Sequence, residues 1–261
     1  GRTYTGIRFI SVNLNGGNDN LFLTNVAASE GVNRLQGLTI NMGAGNDNVV
    51  IGGPLTIDTD FVGDATVGGN IETNSGTVDL RGVATILTGA GNDTLTIRGL
   101  NSTRLVNALL EAGNDTATLS DVTTSETIVN FAAGHATFTG SNLTTTVGNL
   151  TVTAPASSTS DVTVGIETLD VAGSVIINTG ASEASVTVSS GDINFDLAIM
   201  SFGAAGNNNT VAVSGLTIGA VATITTGQGN DEIDFAESTA DILQIFSNAG
   251  NDRIDVLLSN F

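Results

Sequence analysis

One short turn recurs along this chain and constrains its fold more than any other feature. It reads Asn15-Gly16-Gly17-Asn18-Asp19, Gly43-Ala44-Gly45-Asn46-Asp47, Gly89-Ala90-Gly91-Asn92-Asp93 and Ala112-Gly113-Asn114-Asp115 in the N-terminal half. It returns as Gly203-Ala204-Ala205-Gly206-Asn207-Asn208, Gly227-Gln228-Gly229-Asn230-Asp231 and Ala249-Gly250-Asn251-Asp252. Allowing for degenerate copies between the clear ones, the turns recur about every 23 residues, a spacing typical of solenoids.

A short strand follows each turn, with two apolar residues flanking one outward residue. The pairs are Leu21/Leu23, Val49/Ile51, Val78/Leu80, Leu95/Ile97, Ala117/Leu119, Ala136/Phe138, Val162/Val164, Val186/Val188, Val211/Val213, Ile233/Phe235 and Ile254/Val256. Alternation with period two means one buried face per strand. A second strand precedes each turn, as in Val12/Leu14, Ile40/Met42, Ala84/Ile86, Val129/Phe131, Val175/Ile177 and Leu243/Ile245. A third segment completes each unit, as in Leu55-Thr56-Ile57 or Gly215-Leu216-Thr217-Ile218. The stretches 102–111 and 237–244 have enough helix formers for a turn or two of helix, but their place before a turn reads as strand.

One such unit cannot bury its apolar pair alone, whereas stacking converts the pairs into continuous columns. The expected fold is all-β: a right-handed parallel β-helix of about eleven coils, roughly 23 residues per coil. A β-sandwich does not repeat one turn sequence in register, and is set aside. Residues 1–261 are read as a single elongated domain, a fragment or repeating unit of a longer fibre. No capping helix is visible at either end, so the partners expected there are other copies or the continuation of the same chain.

The net charge is −19, from 26 acidic residues against seven basic ones, all Arg. Nothing in that balance neutralises phosphates, so nucleic acid is excluded as a partner, while cations are the natural complement. No apolar run approaches the ~20 residues of a membrane span. There is no Cys, hence no disulfide framework and no thiolate metal site.

Stacked turns bring carboxylates together. Two of them about 4.8 Å apart repel by roughly 3 kcal/mol at an effective dielectric of about 20. Ca²⁺ relieves such pairs through carboxylate, amide and carbonyl oxygens. The candidate ligands are Asn18, Asp19, Asn46, Asp47, Asn92, Asp93, Asn114, Asp115, Asn230, Asp231, Asn251 and Asp252. The alternative is that each Asp caps its own turn through backbone N–H groups while the Asn residues form a hydrogen-bonded ladder.

The segment Gly89-Ala90-Gly91-Asn92-Asp93-Thr94-Leu95-Thr96 resembles the glycine-rich nonapeptide of secreted RTX proteins, and Gly43 to Val49 and Gly227 to Ile233 resemble it too. The turns are also similar to those of large bacterial surface proteins built of β-strand repeats. The resemblance implies Ca²⁺ between successive turns and a location outside the cell or on a bacterial surface. The chain departs from the RTX pattern in its longer unit, in Asn41, Thr88 and Thr226 before the turn, and in the stretch from Phe131 to Asn208, which lacks the Asp.

Enzyme chemistry finds few candidates. His135 is the only His and reads as a solvent-facing corner residue. Glu232, Asp234, Arg253 and Asp255 read as ion pairs on a solvated face. The expected function is therefore a non-catalytic extracellular segment of a bacterial surface fibre, filament or adhesin that binds Ca²⁺ at its turns. Two alternatives stand beside it. One is a polysaccharide-active β-helix enzyme. The other is a binding module for ice or carbohydrate, suggested by outward residues Thr94/Thr96, Thr116/Thr118, His135/Thr137, Asp161/Thr163 and Ser185/Thr187.

Overall fold

The chain winds into a parallel β-solenoid. The computed structural model describes residues 9–24, 37–41, 44–45, 48–52, 65–68, 70–74, 78–80, 84–98, 100–102, 104–154, 161–181 and 183–257. Every strand among them pairs in parallel with the strand one coil away, and no helix is present among the described residues. The strands before the turns form an 11-stranded sheet; the second sheet has 13 strands, eleven in the post-turn place and two, Val78–Leu80 and Leu100–Ser102, beside them.

One coil illustrates the path. Leu105–Ala112 lies in the first sheet and Asp115–Thr124 in the second, and Glu126–Ala133 re-enters the first. Within Asp115–Thr124 the buried side switches after Leu119, so that Val122 is inward again although Asp121 is exposed. The switch is made by Asp121 at φ 54°, a left-handed conformation that reverses the alternation at one residue. Asn142, Thr168, Ser190, Gly215 and Glu237 do the same in later coils, at φ 52°, 58°, 59°, 65° and 49°. They form a second corner column, and Val122, Leu143, Leu169 and Leu216 line the buried third face beyond it. The Gly215–Ile218 segment is part of that face, whereas Leu55 to Ile57 lie outside the described residues.

From Thr94 to Leu257 the second sheet makes seven coil-to-coil steps. Contacts between neighbouring coils link residues 21 to 26 apart, most often 22. The coils before Thr94 are described only in short pieces; the regular stretch makes about seven turns some 22 residues apart, where the sequence suggests eleven even coils of about 23. The stretch 105–112 is strand, as is Ile242–Phe246, in line with the sequence reading.

Two columns build the core of the second sheet. Leu95, Ala117, Phe138, Val164, Val186, Val211 and Ile233 occupy one, and Ile97, Leu119, Gly140, Ile166, Val188, Val213 and Phe235 the other. Facing them from the first sheet are Ile86, Ala108, Val129, Val152, Ile177, Ile199 and Ile224. This register corrects two expectations. Phe138 pairs with Ala117 rather than Leu119, so Phe138/Gly140 and Val164/Ile166 are the core pairs of their coils. A slip of two residues keeps every side chain on its face, and alternation alone does not reveal it. The strand pairing sets it, and the packing agrees: a Cβ at Gly140 would lie 2.6 Å from Leu143 Cδ1 and 3.3 Å from Phe138 Cε1. The second correction concerns Val78–Leu80, which pairs with Leu100–Ser102 beside the third face, while Asn70–Asn74 takes the post-turn place. Ile254 and Val256 stand in register with Ile233 and Phe235 but are exposed, because no described coil covers them.

Candidate functional site

The turn between the two sheets stacks on itself by backbone contact. Gly91 N–H donates to the Ala112 carbonyl at 2.8 Å, and Gly113 N–H to the Ala133 carbonyl at 3.1 Å. Gly113 has φ 157°, and a Cβ there would overlap the Gly91 carbonyl oxygen. Gly250, at φ 154°, stands in the same relation to Gly229. Glycine is thus required by the close approach of successive turns, before any ligand is considered.

Two side-chain ladders flank these glycines and run in opposite directions. In the Asn ladder each amide oxygen accepts from the following coil. Asn92 Oδ1 receives Asn114 N–H at 2.9 Å, and Asn114 Oδ1 receives His135 N–H at 3.1 Å. Asn208 and Asn230 accept from Asn230 and Asn251 at 2.8 and 2.9 Å. In the Asp ladder each carboxylate accepts from the preceding coil. Asp115 Oδ1 receives Asp93 N–H at 2.9 Å, Asp231 Oδ1 receives Asn209 N–H at 2.7 Å, and Asp252 Oδ1 receives Asp231 N–H at 3.0 Å. Asp115, Asp231 and Asp252 therefore cap the neighbouring coil.

His135 is exposed at the corner, as expected, and continues the Asn ladder. Its Nδ1 accepts the Asp161 N–H at 2.9 Å. The Asp161 carboxylate also lies 3.5 Å from the same nitrogen. The amide contact is the shorter and better defined, and it makes Nδ1 the unprotonated nitrogen in this arrangement.

Sequence reasoning missed Asn209. It read Asn207 and Asn208 as the turn pair, whereas the contacts put Asn208 in the Asn ladder and Asn209 in the Asp ladder. Asn209 is 1% exposed, and its backbone N–H and side chain make four hydrogen bonds. Its N–H and Nδ2 both donate to Asp231 Oδ1, and its Oδ1 accepts from Ala184 N–H and Ser201 Oγ. Thr179 extends this buried chain by donating to Ser201 at 2.9 Å. The signal was the hydroxyl residue placed before a degenerate turn. In the coils between, Ala136, Val162 and Ala184 occupy the Asp position and are buried, so the ladder gives way to plain apolar core.

Of the expected ligands, Asn46 and Asp47 lie outside the described residues. Asn18, Asn92, Asn114, Asn230 and Asn251 are exposed, Asp19 and Asp252 half-buried, and Asp93, Asp115 and Asp231 buried. Asp115 Oδ2 and Asp231 Oδ2 are buried without a hydrogen-bond partner among the described residues. Burial pushes the Asp115 carboxyl above its ordinary value, and the bond from Asp93 N–H only partly opposes this. Ca²⁺ takes 6–8 oxygens, and the residues present supply part of such a shell. Turn carbonyls of Ala112, Ala133 and Ala249 already accept from glycine N–H groups. Among the described residues no group of three or more His, Asp or Glu side chains converges on one point. The buried candidates for such a shell are the second carboxylate oxygens of Asp115 and Asp231.

Arg253 bridges Glu232 on the neighbouring coil and Asp255 on its own strand. All three are exposed or half-buried, and Asp255, then Glu232, hold the guanidinium above its ordinary range. Comparison with protein-family models, with curated proteins and with solved structures returns no match.

Proposed function

We propose that this chain is a non-catalytic structural rod, a segment of a bacterial surface fibre, filament or adhesin that works outside the cell. One observation carries the reading. The polar side chains of the repeated turn are spent on holding one coil to the next, Asn forward and Asp backward. A pull along the rod must break backbone pairing in both sheets together with both ladders. In this reading Ca²⁺ reinforces the turns at Asp115 and Asp231, whose second oxygens are buried and unpaired among the described residues. The ends of the rod meet further copies or more of the same chain.

Single-molecule stretching of the whole chain tests the mechanical role. Unravelling is expected in steps of one coil, about 75 Å of contour for 22 residues, at forces that rise in Ca²⁺. Extension without resolvable force peaks would remove the mechanical reading, and force peaks indifferent to Ca²⁺ would remove the metal from it.

A further inference from the structure

The two-residue register correction changes the outer side of the second sheet as well as the core. Strand pairing places Thr94, Thr116, Thr137, Thr163, Ser185 and Thr210 in one column of six successive coils. The neighbouring column contains Thr96, Thr118, Thr139, Gly165, Thr187 and Ala212. His135, which the sequence put on this face, belongs to the turn instead, while Asp161 opens its strand in register with Glu183, one column nearer the turn. The result is a two-column array of hydroxyls and methyls interrupted only by Gly165 and Ala212.

Three properties of the array bear on its use. The two columns themselves have no ionisable group across six coils, in a chain of net charge −19, and are flanked by Asp161 and Glu183 on one side and by Arg98 and Glu167 on the other. Charge resumes where the columns continue into Glu232/Asp234 and Arg253/Asp255. The side chains of Thr116, Thr118, Thr137, Thr139, Thr163, Ser185, Thr187 and Thr210 have no hydrogen bond among the described residues, so their donors and acceptors are available. The spacing is set by the solenoid: about 4.8 Å between coils and about 6.7 Å between columns. β-branching restricts χ1, so little side-chain freedom remains to be lost on binding.

Identical groups at fixed steps are matched all at once only by a partner with a repeat of its own. An ionic mineral needs charge on the protein, and both columns lack it. Crystalline polysaccharide is gripped by aromatic platforms, and neither column contains an aromatic residue. A second copy laid face to face would exchange hydration for contact between hydroxyls, with little apolar area gained. Ordered water has the repeat, the neutrality, and the paired donors and acceptors that Thr matches. We propose that this face binds the surface of ice, a role independent of the calcium reading.

The test is partition of the whole chain into slowly grown ice, with thermal hysteresis measured alongside. The wild-type chain is expected in the ice fraction. Thr137→Lys with Thr163→Lys, at the centre of the array, should fall to the partition of an unrelated soluble protein. Thr151→Lys with Thr223→Lys, on the outer side of the first sheet, should behave as wild type. Circular dichroism melts of both variants check that the solenoid is intact. Exclusion of the folded wild-type chain from ice, or equal partition of folded variant and wild type, would overturn the proposal. So would retention on insoluble cellulose, chitin or calcium carbonate in place of ice.

Discussion

The backbone amide of Asp93 donates to Asp115 Oδ1 across a coil boundary at 2.9 Å, while Asp115 Oδ2 is buried with no hydrogen-bond partner among the described residues. One oxygen of this carboxylate is structural and the other is an uncompensated cost. Burial raises the pKa, so the folded state holds the proton more tightly than the unfolded chain does. The stabilisation from protonating Asp115 is complete below the ordinary value of 3.8 and is lost as pH rises through the higher folded value. Asp115→Asn keeps the acceptor and removes the charge. Without metal it should be as stable as wild type or more so at pH 7, with the difference vanishing toward pH 4. Urea unfolding at both pH values measures this, and a large loss of stability at pH 7 without metal would contradict it.

Gly113→Ala probes the stacked turns. The new Cβ meets the Gly91 carbonyl oxygen, and φ 157° is unfavourable for alanine. Backbone strain alone costs about 1–3 kcal/mol, and the overlap adds to it. Gly17, with φ 128° and nothing within reach of an added Cβ, should tolerate alanine better. Chemical denaturation of both variants should rank them in that order.

The core register is tested by two neighbours. Val188 is fully buried and Thr187 exposed on the same strand. Val188→Asp should cost more than about 3 kcal/mol by burying an unpaired charge. Thr187→Asp should stay within about 0.5 kcal/mol of wild type. Equal losses in thermal melts would mean that the strand faces are misassigned.

Calcium titration addresses the turns directly. Heat of binding and a higher Tm are expected in the wild-type chain, and both should be absent from the double variant Asp115→Asn, Asp231→Asn. Silence of the wild-type chain at millimolar Ca²⁺ would leave the two ladders as the whole purpose of the motif.

The turn motif and the alternation between turns were enough to reach a parallel solenoid, because each reports a local requirement. Gly113 must lack a Cβ, and Leu95 and Ile97 must share a face. Depth along the stack was harder to read. Ala136 and Phe138 sit on one face whichever of them pairs with Ala117, so period two leaves a two-residue ambiguity that the strand pairing resolves. The second corner was hidden for another reason. Asp121, Asn142, Thr168, Ser190 and Glu237 share a conformation and no side-chain chemistry, so no motif marks them. Asn209 escaped because an amide replaces the carboxylate, yet it makes the same bond between coils. The turn residues were thus found from sequence, while the direction of their bonds was not.

The opposed polarity of the Asn and Asp ladders also bears on how such a gene can change length. Each fully laddered boundary offers an upward acceptor and a downward acceptor of the same kind. A duplicated stretch encoding one whole winding therefore finds its counterparts on both sides as soon as it is inserted. A stretch of another size has to be absorbed at a corner, as the spread of 21 to 26 residues between neighbouring coils shows. Selection can then lengthen or shorten the molecule in whole windings without redesigning a single contact.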